Sequence, residues 1–432
     1  MNNNYHLCNL PNSWEWRRIK YVLKSLESGG RENSKEDSFE GQALSIGGEH
    51  IGWKGEWLLT ENPRFVSFEY FNSMRSGHIR NMDVLLVKDG ATIGKTAIAD
   101  ELPYEKIAVN EHVFILRFDN SVLPRFGFYV IQSRMAQEQI YLEVRGSAQP
   151  GLNTEFRHKV QFPLPPLATQ LVITNFLDRE TTQIDNLIAA KEQMLTLLEE
   201  KREALISHAV TRGLDPNVAF KRSGLDWLGD IPQHWNIERA KGLFREVDNR
   251  TTTGEEELLS LRMHVGLVPH HDVSDKILEP KDVIGFKKVE TGQLVINRMR
   301  ASMGLIAISP QNGLVSPDYA VFDIVKLIHI PYFLALFNTS LVGALFRSSS
   351  KGLGTGSSGF LRLYSESFLS IHFPVPSLEE QKEITNFLDQ EQQKTGELEN
   401  ALTDSIALLK ERRSALITAA VTGQIALEEM TS

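Results

Sequence analysis

Three stretches carry residue types and spacings that could do chemistry. Gly90-Ala91-Thr92-Ile93-Gly94-Lys95-Thr96 resembles a loop that wraps a phosphate in backbone amides and adds a lysine. Only three residues separate its glycines where four are needed, position 89 is Asp, and Ala97–Leu102 offers no long helix whose N-terminus could hold the anion. A strand–turn–strand fits better. Gly354-Thr355-Gly356-Ser357-Ser358-Gly359 spells the dinucleotide-binding glycine pattern, yet it precedes the strand-like Phe360-Leu361-Arg362-Leu363. The pattern has to follow a strand and open a helix. His270-His271-Asp272 could ligate a metal, but no second cluster stands at a ligand spacing, so a surface turn is expected. The sequence has no Gly-x-Ser-x-Gly, no clustered acidic-acidic-lysine core, and no Asn/Asp-Pro-Pro-aromatic motif, from which Ser316-Pro317-Asp318-Tyr319 is too far. No catalytic or metal-binding residue is assigned.

What organises the chain is a repeat. Phe162–Thr211 returns as Phe373–Thr422 without a gap, with 24 identities over 50 paired positions. Each copy reads as a long helical arm of roughly 60 Å, taking about forty residues at ~1.5 Å rise. In the first, Ile184, Leu187, Met194, Leu198 and Leu205 predict an apolar seam interrupted by Lys191; in the second, Leu398, Ala401, Ile406, Leu409 and Leu416 do the same. Ser377 with Glu380 predicts a capping box, and Gly213 and Gly423 stand where left-handed C-terminal caps would. An arm alone would leave its stripe in water, and the economical partner for the first arm is the second. Leu205 with Ile206, and Leu416 with Ile417, lie on neighbouring helix faces, so Ile206 and Ile417 are expected to face outward, towards a partner.

The segments between the arms repeat more faintly. Pro11-Asn12-Ser13-Trp14 returns as Pro232-Gln233-His234-Trp235, Arg18-Ile19-Lys20 as Arg239-Ala240-Lys241, and Asp83–Ala97 lies over Gln293–Ala307. Their apolar runs are short, rich in Val and Ile, and broken by Gly, Asn or Asp, which predicts mainly strand with a few helices such as Phe126–Tyr141. The expected fold class is therefore α+β: two mainly-β globules related by pseudo-twofold symmetry and joined by two long helices that pair as an antiparallel coiled coil. The predicted divisions are 1–160, 161–213, 214–371 and 372–432.

Composition is that of an ordinary globular chain, 41% hydrophobic and 23% charged. No apolar run approaches membrane-spanning length, Met1–Leu10 lacks a signal pattern, and one cysteine, Cys8, excludes internal disulfides. These features lead us to expect no membrane and a cytoplasmic location. The net charge of −9 argues against nucleic acid until its distribution is read. The arm segments hold the excess, 5 basic against 7 acidic groups in 161–213 and 5 against 11 in 372–432, so the globules are close to neutral and could each carry a basic face.

PLPPLATQ and ITNFLD running into EKREALISHAVTRG, with PVPSLEEQ running into ERRSALITAAVTG, resemble the conserved regions of type I restriction–modification specificity subunits. DVLLVKDGATIGKTA, VNEHVFIL, GSAQPGLN, LVINRMRASMG and SPDYAVF resemble stretches of that family's target recognition domains. The resemblance implies a DNA-specificity subunit without catalysis of its own, part of a complex that is both site-specific endonuclease and adenine methyltransferase in defence against foreign DNA. Its implied partners are double-stranded DNA, two modification subunits and two ATP-driven restriction subunits. No cofactor is expected on this chain; S-adenosylmethionine, ATP and Mg belong on the partners. Each globule would read one half of a split, asymmetric site. Candidate DNA contacts are Lys88, Lys95, Arg145, Gln149 and Asn153 in the first globule, and Arg298, Arg300, Ser302, Lys351 and Arg362 in the second. Leu205, Ile206, Leu416 and Ile417 are the candidate partner contacts.

If the arms set the gap between half-sites, deleting one heptad from each, Glu192–Leu198 and Thr403–Leu409, keeps the seam in register and shortens it by ~10 Å. Methylation of a library of sites with varied gaps should then show a preference shorter by about three base pairs, at ~3.4 Å per pair. The half-site sequences should not change.

Overall fold

The computed structural model describes residues 10–32, 42–59, 63–100, 102, 104–146, 150–263, 265–276, 278–353 and 360–431. The chain forms two compact units, each built from distant parts of the sequence: 1–192 with 403–432, and 193–402. Compactness therefore cuts across the repeat, and each unit takes half of each arm.

In the first unit, Leu23–Ser28, Val113–Phe118, Val84–Val87 and Thr96–Ile98 form an antiparallel sheet in that spatial order. Val84–Val87 has no polar residue because both faces are covered. Side chains alternate across a strand, so Val84 and Leu86 enter one core while Leu85 and Val87 enter a second. The first core is closed by helices Pro124–Gln132 and Arg134–Leu142, by Ile173, Phe176 and Leu177 of the first arm, and by Ile417, Ala420 and Val421 of the second. The smaller core lies under Phe65–Ser67, Gln42–Ile46 and Ile107–Val109.

The second unit repeats this plan. Phe244–Val247, Tyr319–Ile324, Leu294–Asn297 and Ile306–Ile308 lie in the same order, with Leu294 and Ile296 facing one core and Val295 the other. Ala209 and Val210 of the first arm and Ile384 and Leu388 of the second complete its main core. A short ladder opens and closes each globule: Glu15–Arg18 with Gln161–Leu164, and Asn236–Arg239 with His372–Val375. Gly90–Lys95 falls in a turn between paired strands, and Thr96 opens the second of them, opposite Leu86.

The helix predicted over Phe126–Tyr141 is two. Ser133 is extended (φ −62°, ψ 144°), and its hydroxyl accepts from the Ala136 amide, starting a new helix. Thr339 does the same for Ser340–Ser348 after Ile330–Phe337. Among the described residues no single helix is long and apolar enough to cross a membrane.

Both arms are single helices, Leu167–Arg212 and Leu378–Val421. They pair antiparallel: in the first unit Arg413 contacts Asp185 at 3.1 Å and Lys410 contacts Glu192 at 3.2 Å, and in the second Gly213 lies against Glu380. The seam is more regular than the apolar pattern suggested. Burial follows Ile184, Ile188, Lys191, Leu195, Leu198, Arg202, Leu205 and Ala209, an unbroken alternation of four and three. Leu187 and Met194 fall one step off it and are 52% and 47% exposed. On the second arm the line runs Thr395, Glu399, Leu402, Ile406, Leu409, Arg413, Leu416 and Ala420, leaving Leu398 and Ala401 outside. Counting only apolar residues missed this register because the seam admits Thr395, Glu399, Lys191, Arg202 and Arg413; the longer stems among them pack along the helix while the charged heads lie at its edge.

Gly213 and Gly423 end the arms with φ of 78° and 72°. A methyl group on Gly213 would meet Trp235 and Pro232, and one on Gly423 would meet Pro11 and Trp14. The two Pro-x-x-Trp turns are thus seats for the arm ends. The capping box is half made: the Ser377 hydroxyl accepts from the Glu380 amide at 3.2 Å, but the Glu380 carboxylate accepts from Trp235 Nε1 at 2.9 Å.

The first sheet holds a buried ion cluster. The Arg117 guanidinium, 9% exposed, donates twice to Asp83 at 2.8 and 2.7 Å, to the His78 carbonyl, and to Glu27. The second unit has Asp323 at the equivalent place, paired near the surface with Arg245. Replacing Arg117 by Met strands two carboxylates and should cost ~3–5 kcal/mol. Asp323→Ala should cost about 1 kcal/mol or less. Denaturant titration of the two variants measures both.

Candidate nucleic-acid interface

One backbone hydrogen bond builds the same platform in both units. After Val84–Val87, the Lys88 carbonyl accepts from the Leu152 amide at 2.8 Å; after Leu294–Asn297, the Arg298 carbonyl accepts from the Leu363 amide at 2.8 Å. The residue before each leucine is in a two-strand ladder, Gly151 opposite Arg145 and Arg362 opposite Lys351. Lys88, Arg145 and Asn153 are therefore gathered in one unit, and Arg298, Lys351 and Arg362 in the other.

The side chains differ. Lys88 is only 21% exposed: its ammonium lies 4.9 Å over the Phe114 ring and 3.9 Å from Asp89. It is engaged within the platform, where a side chain free in solvent was expected. Lys95 stands 5.8 Å over the ring of Trp53, which is 56% exposed. Arg145 is exposed, with Nη1 donating to the Leu142 and Val144 carbonyls. Asn153 is exposed and accepts from the Glu155 amide at 2.9 Å, turning the chain towards Phe156–Lys159. Gln149 lies outside the described residues. Around Lys88 the acids Asp89 and Glu111 flank His112 at 3.3 Å each, so this face alternates in sign.

The second unit is more strongly positive there. Arg298 donates to the carbonyls of Asp318 and Pro317 at 2.8 and 2.9 Å. Burial, and then the like charge of Arg362, hold its guanidinium pKa below the usual value. Arg362 pairs with the Asp318 carboxylate and lies 5.9 Å from the Tyr364 ring centre. These two arginines brace the loop from inside. Arg300 and Lys351 point into solvent, and Ser302 is half-buried in the turn Ala301–Met303. Arg262 joins this group: it and Arg300 act electrostatically on Tyr319, whose hydroxyl pKa burial nonetheless pushes up. Sequence reading missed Trp53, Arg262 and Tyr319. Tyr319 sits inside a quoted motif but reads there as strand, Arg262 ends the short strand Leu259–Arg262, and Trp53 lies in a loop with no periodicity.

The candidate partner contacts are less open than expected. Ile417 is 1% exposed and belongs to the first unit's core, because the arm's last turn caps that core with Ala420 and Val421. It offers no docking surface. Leu416 is half-buried against the same core, and Leu205 and Ile206 against that of the second unit. Among the described residues no group of three or more His, Cys, Asp or Glu could hold a metal. His270–Asp272 is a surface turn in which His270 Nδ1 bonds the Ser260 hydroxyl at 2.8 Å.

Comparison with known proteins gives these features a setting. Residues 11–197 and 274–408, well over half of the chain, match the family model described as type I restriction modification DNA specificity domain. The chain is 20% identical over 239 residues to the type I restriction enzyme MjaVIII specificity subunit of Methanocaldococcus jannaschii, covering 55% of this chain and 50% of that one. It is 23% identical over 239 residues to a second subunit of that organism, the putative type I restriction enzyme MjaX specificity subunit, and the match spans about half the length of each. The EcoKI specificity subunit of Escherichia coli K12 is 20% identical over 351 residues, covering 78% of this chain and 72% of that one. Two solved structures share the fold. One is a chain from work on complex assembly and conformational transition of the type I R-M system, with TM-score 0.70, 17% identity and coverage of 97% and 100%. The other is the HsdS subunit of Thermoanaerobacter tengcongensis, with TM-score 0.53, 17% identity and coverage of 98% and 100%. With its two matched segments, its repeated arms and its duplicated globules, the chain belongs to the family of type I restriction–modification DNA specificity subunits.

Proposed function

We propose that the chain reads a bipartite, asymmetric DNA site, one half per globule, and that its arms hold the adenine methyltransferase and restriction subunits of a type I complex. The single observation that carries this reading is the duplicated platform: one hydrogen bond, Leu152 to Lys88 and Leu363 to Arg298, presents different side chains in the two units. Equal backbones with unequal residues are what two different half-sites require. Arg145, Lys95 and Asn153 in one unit, and Arg300, Lys351 and Ser302 in the other, are the proposed DNA contacts, with Gln149 as a sequence-based candidate beside them. Arg262 is added to the second set, and Trp53 to the first as a ring that can stack or hold Lys95 in place. Lys88, Arg298 and Arg362 act by holding the loops. The chain performs no bond-making step in this reading; S-adenosylmethionine, ATP and Mg act on the partner subunits, in the cytoplasm.

A gel shift with a specific duplex, run with and without modification subunit, separates this reading from a protein-only adaptor. Methylation or cleavage by the purified chain alone would make it an enzyme and end the reading. Methylome sequencing of a host with and without the gene identifies the target.

Exchange of residues 15–155 for those of a relative should change one half of the methylated target and leave the other intact. A change in both halves would refute one globule per half-site. Arg300→Ala with Lys351→Ala should weaken binding across sequences and reduce the salt slope of log K by about 1 for each phosphate that is no longer neutralised, with little change in preference for the first half-site. Binding titrations at three or four salt concentrations give both numbers.

A further inference from the structure

The duplication provides an internal standard for what the sheet itself needs at the end of its central strands. In the first unit the last cross-strand pair of Val84–Val87 and Val113–Phe118 is Val87 with Val113, both fully buried in the smaller core. A methyl group on Gly48 would meet Val87 at 2.9 Å, so this place is closed. In the second unit the same pair is Asn297 with Tyr319. The two valines show that the sheet requires neither polar group there, and a half-buried amide and hydroxyl cost stability unless they are hydrogen-bonded.

The partners of these two groups leave one donor over. Asn297 Oδ1 accepts from the Met299 amide at 3.1 Å and from the Arg300 amide at 3.3 Å, which leaves Nδ2 for Tyr319. Burial is the largest influence on Tyr319 and keeps its hydroxyl protonated; against it, hydrogen bonds from the Asn297 side chain and the Leu261 backbone, and the charges of Arg262 and Arg300, favour the phenolate. A hydrogen bond favours the phenolate only when it is donated to the oxygen, so Asn297 Nδ2 and the Leu261 amide fill both lone pairs. What remains of the hydroxyl is its O–H donor. Beside it stand two cations. Arg262 ends Leu259–Arg262 and donates to the Val273 carbonyl at 3.0 Å, and Arg300 is exposed. The Asp318 carboxylate, next in the chain, is paired with Arg362. In the first unit Gly90 stands at the position of Arg300 and brings no side chain.

We propose that Tyr319 contacts DNA in the second unit: its hydroxyl, with Arg262 and Arg300 beside it, donates to a group that only accepts, either a phosphodiester oxygen or the O6 and N7 edge of guanine. Two guanidiniums and a hydroxyl all donate, so the amino groups of adenine and cytosine, which also donate, are rejected there. Asn297 holds the arrangement together, since its amino group fixes the hydroxyl and its carbonyl fixes the turn that carries Arg300. With Val87, Val113 and Gly90 at these positions, the first unit lacks the site. The proposal rests on the DNA-reading role given above and names the chemistry that one of the two globules recognises.

The test removes the hydroxyl and leaves the ring. Tyr319→Phe, Arg300→Ala and the double variant are purified with modification subunit and titrated, at three or four salt concentrations, against a duplex carrying the methylated target. Tyr319→Phe should weaken binding ~10-fold, as loss of a hydrogen bond to a charged or fully desolvated acceptor does. The double variant should lose less than the product of the two single losses. Two arms separate the acceptors. For a phosphodiester, Arg300→Ala lowers the salt slope by about 1 and the Tyr319→Phe loss is the same on every sequence. For guanine, 7-deazaguanine at one place in the second half-site weakens binding by the unsubstituted chain and not by Tyr319→Phe. Asn297→Val with Tyr319→Val installs the pair that the first unit already carries; it should bind at least as weakly as Tyr319→Phe, and it keeps the test open if the phenylalanine variant does not fold. Unchanged affinity in the folded variants at every salt concentration overturns the proposal. A strictly additive double variant also overturns it, because hydroxyl and guanidinium would then touch different groups. So does a lost preference for adenine or cytosine in the second half-site, because the site would then be accepting. If the unsubstituted complex does not prefer its target over a scrambled duplex, the DNA-reading role itself fails, and that result is visible before any variant is compared.

Discussion

A helix of more than forty residues with one apolar stripe is not a stable object in water, because its stripe must be covered along its whole length. Everything else in this chain follows from how that cover is provided. Each arm meets the other antiparallel through a strict four–three seam, and the arm ends are driven into the cores of the globules: Ile417, Ala420 and Val421 into one, Ala209 and Val210 into the other. A globule is then a cap for two half-helices that come from distant parts of the sequence. Polar residues are tolerated on the seam as well, and one of them, Arg413, finds its partner on the other arm in Asp185.

Much of this was legible in the residues. Two copies of one stretch, each ending in glycine, announced two helices of equal length, and the short Val- and Ile-rich runs announced the sheets. The phosphate-loop likeness at Gly90–Thr96 failed for the reason the spacing gave, since a turn between two paired strands cannot open a helix. The seam register was harder to read. Leu187 and Met194 are as apolar as Ile188 and Leu195, and only the geometry of the paired helices chooses between them. Side-chain availability was not legible. Lys88, Arg298 and Ile417 are chemically suited to a surface, yet burial commits them to holding the fold, and burial depends on neighbours far away in the chain.

The two units share a backbone and differ in charge. The first has its guanidinium inside, bound by Asp83 and Glu27, and a mixed face around Lys88. The second has its arginines near the loops, with Asp318 between them. A shared frame lets a recognition surface change sign and shape without disturbing the strands beneath it, because the bond that fixes the loop is made by main-chain atoms. The joint to the arm differs as well: Arg125 and Tyr129 bind Asp178 of the first arm in one copy, and Pro331 and Ala335 stand at the matching positions of the other.

The split composition of the first unit also bears on how the protein comes to be made. Its main core needs Phe176 and Leu177 from the middle of the chain and Val421 from near the end, and the contact of Asp185 with Arg413 joins residues 228 positions apart. The second unit draws only on residues 193–402. On a ribosome adding residues one at a time, the globule synthesised first is the one completed last. It waits with an apolar face uncovered while its younger copy folds around a nearly contiguous segment. The order of residues in the chain is not the order in which its parts become whole.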